Sequence, residues 1–229
     1  MQRNDSLPEW ERLMTAAARL QRILPDAVLV GGTAAAAHAH HRLSYDAAHT
    51  LNELRSHFDE VLAQLEAVAG WRTARVRRPV LILGSLDGIE TGVRQLIREE
   101  PLETVTIRLA TGDVTLPSPA EMLRIKGILI LKRNATRDYL DFAAMAQILG
   151  EKGIVDALAS LDRLYPQPNG ESALQQLQIQ LARPMPYDLD DVDLSEYKRL
   201  VADFQDWRHV QEACGRIALM LLKHDTEKP

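Results

Sequence analysis

Apolar positions fall into two textures along the chain: short runs and alternations up to about residue 117, and helical periodicity beyond it. Trp10, Leu13, Met14, Ala17 and Leu20 recur at helical spacing behind Ser6-Leu-Pro-Glu, which predicts a helix over 8–24. The run Ala27–Val30 stops abruptly at Gly31-Gly32, the pattern of a buried strand that turns into a helix over 33–40. A second strand is expected over 43–49. Leu54, Phe58, Val61, Leu62, Leu65 and Val68 share one face of an amphipathic helix expected over 51–69. Strands follow at 71–76 and 80–83, with Pro79 at a strand start. Asp87-Gly88 signals a turn, and Gly84-Ser85 is read as part of it. Residues 104–109 and 114–116 form a hairpin around Thr-Gly-Asp.

After Ser118 the pattern becomes helical. Ser118-Pro-Ala-Glu121 is a capping-box start, with Pro119 at the first helical position. Helices are expected at 119–132, 136–149, 151–164, 170–182, 195–204 and 207–223, with a Pro-rich and acidic strap over 182–193. The fold expected is α+β: a mixed-sheet domain over 1–117 followed by a helical domain over 118–229.

Composition narrows the picture without naming a chemistry. Apolar residues at 46% and charged residues at 26% suit a soluble globular chain. The net charge of −5 does not advertise a nucleic-acid binder, although one basic surface can exist on an acidic chain. Aromatics at 5% give poor support for a stacking platform. A single cysteine, Cys214, rules out an internal disulfide and suits a reducing compartment. The N-terminus lacks the apolar core of a signal peptide. The runs 127–131 and 217–222 are too short to cross a bilayer. The expectation is a cytoplasmic protein with no membrane partner.

The segment from Val30 to Ala48 carries most of the chemistry. A strand feeding Gly31-Gly32-Thr33 at a helix start presents backbone N–H groups and a hydroxyl that attract phosphate. A plain strand-to-helix turn with no ligand explains the same residues. On a strand, residues 44, 46 and 48 face one way, so acids at 46 and 48 would together hold Mg²⁺ against a triphosphate. Only Asp46 is acidic; position 48 is Ala. A zinc site among His38, His40, His41 and His49 matches no familiar ligand spacing.

Gly31-Gly32-Thr33 followed by His41-Arg42-x-Ser44-x-Asp46 resembles the first motif of AbiEii-type nucleotidyltransferase toxins, a branch of the DNA polymerase β-like nucleotidyltransferase superfamily. That motif runs Gly-Gly-Ser/Thr and then Asp-x-Asp, so Ala48 stands where the second acid is expected. Glu121-Met-Leu-Arg-Ile-Lys126 and Arg137-Asp138-Tyr-Leu-Asp141 resemble the second and third motifs, and Asp206-Trp207 weakly echoes a late one. The resemblance covers about residues 27–149. It implies a metal-dependent nucleotidyltransferase, the toxin of a toxin–antitoxin pair, moving a nucleotide from an NTP to an RNA acceptor such as the 3′ end of tRNA. By resemblance, Gly31, Gly32 and Thr33 cradle phosphate, Asp46 holds Mg²⁺ or Mn²⁺, Lys126 meets the nucleotide phosphates and Asp138 is catalytic. Asp141 would orient a basic side chain. The chain as written would be inactive or nearly so, through an introduced Asp→Ala change or through natural decay into a nucleotide- or partner-binding module. A cognate antitoxin is the implied partner. Arg72, Arg75, Arg77, Arg78, Arg94 and Arg98, with Lys132, Arg133 and Arg137, could form a basic surface for RNA; solvated outer faces explain them equally.

Overall fold

The computed structural model describes residues 9–168 and 170–226; the expected helix start at 6–8 lies outside them. The order is α1 (Glu9–Ile23), β1 (Val28–Leu29), α2 (Gly31–Ala39), β2 (Asp46–Leu51), α3 (Phe58–Glu66), β3 (Trp71–Arg77), β4 (Leu81–Leu86), β5 (Ile89–Gln95), β6 (Thr104–Leu109) and β7 (Gly112–Pro117). Helices follow: α4 (Pro119–Arg133), α5 (Thr136–Leu158), α6 (Leu161–Leu164), α7 (Ala173–Ala182), α8 (Ala202–Gln205) and α9 (Trp207–Thr226). The fold is α+β, a mixed sheet first and helices after it. The chain divides into two compact units. The first ends at Ala34, resumes at Ser44 and runs to Pro117; the second takes Ala35–Leu43 and the chain from Ser118 onward. The boundary near 117 coincides with the change of hydrophobic texture, whereas residues 35–43 group with the helical unit.

In the first unit, five strands pair in the order β1-β2-β5-β4-β3, and β6-β7 form a separate hairpin sheet. The β2–β5 pair is parallel and the other pairs are antiparallel. One side of the large sheet is sealed by Leu20 of α1, Leu24 just beyond it, and Phe58, Val61 and Leu65 of α3, which join Leu51, Trp71, Ile82, Leu86 and Val93. Gln21 of α1 fixes the hairpin by accepting from the Thr115 N–H (2.8 Å) and donating to the Thr115 carbonyl (2.7 Å).

Several expectations are corrected in this unit. The helix expected over 51–69 begins only at Phe58. Leu51 is spent on the β2–β5 ladder, and its carbonyl accepts from the Leu96 N–H. The Gln95 amide bonds the Asn52 carbonyl and the Arg55 N–H, which holds the intervening turn out of helical geometry. Gly84-Ser85 is strand, not turn. Gly84 lies beneath the Trp71 ring, where an added Cβ would come within 2.7 Å of the indole. The central strand β5 answers to no strand predicted from the sequence.

In the second unit, Ser118 caps α4 by accepting from the Glu121 N–H at 3.2 Å, with Pro119 in the first turn. Asn134 ends the helix in the left-handed region. Gly150, at φ 65, breaks α5 where two expected helices meet. Gly127 lets α4 and α7 approach, since a Cβ there would come within 2.8 Å of Leu177. The helix expected over 195–204 is replaced by a 3₁₀ turn at Leu194–Glu196 and the short α8.

Candidate functional site

β1 delivers the chain to Gly31, which opens α2 at φ 78, a conformation that favours glycine. The first turn of any helix leaves N–H groups without intrahelical partners, and their dipoles favour an anion. The turn is held against β2. The Val30 N–H donates to the Ala48 carbonyl at 2.8 Å, and the buried Thr33 hydroxyl donates to the Asp46 carbonyl. Thr33 therefore ties the helix start to the strand, leaving backbone groups as the donors that a phosphate would meet.

The strand register fixes what faces this turn. Asp46 and Ala48 alternate with Ala47 and His49, both of which are fully buried on the core side. A Cβ built on Gly31 would lie 3.8 Å from the Ala48 methyl, so position 48 faces the turn. Ala48 pairs with Gly92 of β5, where a Cβ would run into the Ile82 carbonyl. Ala48 and Gly92 thus keep the sheet face low beside the glycine turn. Asp46 is exposed, and one of its carboxylate oxygens accepts from the Ser44 hydroxyl at 3.1 Å.

Glu90, absent from the sequence expectations, is the ladder partner of Asp46 and is also exposed. Two carboxylates on neighbouring strands, completed by phosphate oxygens and water, are a donor set that suits Mg²⁺ arriving with a triphosphate. Among the described residues, no group of three or more His, Cys, Asp or Glu is placed to hold a metal unaided.

The second unit gathers Lys126, Asp138 and Asp141 with His41 and Arg42. Lys126 Nζ lies 2.7 Å from Asp141 Oδ2 and 3.5 Å from Asp138 Oδ1, with its side chain 1% exposed. Arg133 donates to both oxygens of Asp138. Asp141 accepts from Arg42 Nε at 2.7 Å and Nη2 at 3.0 Å, and lies 2.7 Å from His41 Nε2. Burial alone would raise the Asp141 pKa. The Lys126 and Arg42 charges, with hydrogen bonds from His41 and Arg42, overcome that and hold it well below the usual carboxylate range. The residues assigned by resemblance to phosphates and catalysis are thus enclosed and paired to one another. His49, in the first unit, is buried with neither ring nitrogen in a hydrogen bond of good geometry. Burial pushes its pKa down to about 4, opposed in part by the Ala47 backbone.

No helix among the described residues is long and apolar enough to cross a membrane. No family model matches the chain. The exporter of mycolic acid-containing lipids MmpL11 of Mycolicibacterium smegmatis is 36% identical over 129 residues, which are 55% of this chain and 13% of that protein. The heme uptake protein MmpL11 of Mycobacterium tuberculosis is 36% identical over 130 residues, again 55% of this chain and 13% of that protein. The chain therefore matches only a small part of these relatives. Among solved structures, JHP933 from Helicobacter pylori superposes with a TM-score of 0.56 at 16% identity, covering 97% of this chain and 96% of that one. A second H. pylori structure, assigned provisionally as a nucleotidyltransferase, gives 0.56 at 15% identity over 96% of each chain. The chain has a nucleotidyltransferase-like fold.

Proposed function

We propose that this chain is a nucleotidyltransferase-type protein that receives a nucleoside triphosphate at the Gly31–Thr33 turn, with Mg²⁺ or Mn²⁺ held through Asp46 and Glu90. In the form carrying Asp at 48 it is the toxin of a toxin–antitoxin pair and transfers a nucleotide to an RNA acceptor such as the 3′ end of tRNA. The acceptor hydroxyl gives up its proton to solvent as its oxygen bonds to the α-phosphorus and the bond to pyrophosphate breaks, the leaving pyrophosphate carrying the electron pair. The bound metal supplies Lewis-acid stabilisation of the phosphate charge. The chain's own part is to present first-turn N–H groups to the phosphates and to keep the adjoining sheet face low enough to admit them. The supporting observation is the 3.8 Å approach between the Gly31 Cβ position and the Ala48 methyl, which puts a methyl where this reading requires a carboxylate. As written, the protein binds nucleotide and transfers it poorly or not at all. The enclosed Lys126 and Asp138 enter as the charge network that fixes α4 against α5.

A second reading, a binding module with no transfer activity, is favoured by the presence of only one acid on β2. Ala48→Asp separates the two. Each version is incubated with each labelled NTP, Mg²⁺ and total tRNA. Labelling that appears only with the aspartate supports the transferase. Nucleotide binding without labelling in either version supports the module. A growth assay in bacteria gives a parallel answer, since a restored toxin arrests growth.

A further inference from the structure

The register of the large sheet places a row of arginines on the same face as the glycine turn. Residues paired across a ladder point to the same side of a sheet. Three rows can therefore be followed across β2, β5, β4 and β3: Asp46–Glu90–Ser85–Arg72, Ala48–Gly92–Leu83–Arg75 and Thr50–Arg94–Leu81–Arg77. Simple alternation would send Arg72 to the opposite side from Arg75 and Arg77. The irregularity between Thr73 and Arg75 inserts one extra residue and turns Arg72 into line with them. Arg78 is spent elsewhere, paired with Asp59 and stacked on Phe58.

Arg72, Arg75, Arg77 and Arg94 are all exposed, and among the described residues none forms an ion pair. The acids on these rows, Asp46 and Glu90, lie on β2 and β5 at the opposite end from Arg72. Strand spacing puts the β3 edge about 14 Å from β2. Charged residues on an edge strand also discourage strand addition, but that purpose requires no single sign and no single face.

From this arrangement we infer that the arginine face of β3, with Arg94, is a docking surface for the sugar-phosphate backbone of single-stranded RNA. Along a strand, alternate side chains repeat about every 6.6 Å, which offers a series of separate cationic forks to a chain of single negative charges. Guanidinium forks bind phosphate oxygens in bidentate fashion. No aromatic side chain stands on the three rows, so bases are not stacked there and recognition is through phosphate. An acidic protein segment is the competing occupant. It would need carboxylates matched to the strand repeat, whereas any nucleic-acid strand carries such a series. The surface's role as acceptor site rests on the nucleotide reading of the glycine turn; RNA binding itself does not, and the two are measured separately.

The test compares the unaltered chain, Arg72→Ala/Arg75→Ala/Arg77→Ala, and a control lacking three exposed basic residues elsewhere, Lys152→Ala/Arg183→Ala/Arg216→Ala. Binding of a fluorescent 30-nucleotide unstructured RNA is titrated from 50 to 200 mM salt, with thermal melts to confirm folding. Each phosphate contact to a single strand contributes about 0.7 to the slope of log K against log salt, so the β3 variant should lose about 2 from that slope. Its affinity at 100 mM salt should fall at least about tenfold, with the control unchanged. Equal loss in both variants, or none in the β3 variant, overturns the inference. So does capture of a poly-glutamate peptide through these arginines with no RNA binding. Binding of a fluorescent NTP is followed in parallel. RNA binding lost on β3 substitution, with no NTP bound by any version, would refute the nucleotide reading and leave this surface standing.

Discussion

On the sheet face of the first unit, Asp46, Glu90 and four arginines stand in solvent with few partners. In the second unit, Lys126, Asp138, Asp141, Arg42 and His41 are removed from water and paired among themselves. The same residue types thus serve opposite ends. Enclosed charges must be matched group for group, because each has lost its hydration and removing one leaves the others uncompensated. Exposed charges need no such matching, contribute little to stability and remain available to a ligand. Enclosure marks the residues that hold the fold, and exposure beside the glycine turn leaves the others free for the nucleotide and metal proposed there.

The sharpest way to break this contrast is to remove a charge from each region. Asp141→Asn should cost about 3–5 kcal/mol of unfolding free energy, because three basic neighbours lose their shared carboxylate. Asp46→Asn should change stability by no more than about 0.5 kcal/mol. Urea midpoints of the two variants decide it. A similar loss in both would mean that exposure does not separate structural charges from available ones.

Acid separates two buried groups by window. His49 titrates near pH 4 in the folded chain and about 6.5 when unfolded, so it contributes nothing above pH 6.5. Stability is lost as pH falls from about 6.5 to 4, by roughly 3 kcal/mol in total. The depressed Asp141 stabilises above the unfolded carboxylate pKa and is lost only as pH falls through its folded value, well below 3.8. His49→Leu should flatten the upper window alone, read from denaturation midpoints at pH 7.5, 6, 5 and 4.

Gly92→Ala should cost about 1–3 kcal/mol, because its Cβ meets the Ile82 carbonyl and the Leu83 backbone. Gly88→Ala, where nothing lies within 4 Å of the added Cβ, should cost only the strain of its positive φ, about 1 kcal/mol. Thermal melts compare them. The smallest effect is chemical. Cys214, buried with its pKa pushed up to about 12, should not react with a thiol reagent in the native state and should react fully in urea.

Features that a short stretch of sequence determines were legible in it. The glycine turn, the Ser118 cap that opens α4 and the helix that became α9 each follow from local residues, and the structure has all of them. Features set by pairing were not. β5 shows little alternation, because Thr91 and Gly92 occupy its middle and only the strands on either side make it the centre of the sheet. Glu90 was missed with it. The common face of Arg72, Arg75 and Arg77 depends on a bulge that no alternation rule foresees. The helical pattern at 51–57 was genuine but was overridden by the ladder claiming Leu51 and by Gln95 bonding the turn. The grouping of His41 and Arg42 with Asp141, about a hundred positions away, needed the three-dimensional fold.

Placing a carboxylate at 48 is the most direct trial of the central proposal, that one methyl beside the glycine turn withholds transfer. With labelled NTPs, Mg²⁺ and tRNA, Ala48→Asp should label the RNA at least about a hundredfold faster than the unaltered chain, a loss comparable to removing one preorganised transition-state contact. Equal labelling by the two proteins, or a nucleotide that binds neither, would contradict it.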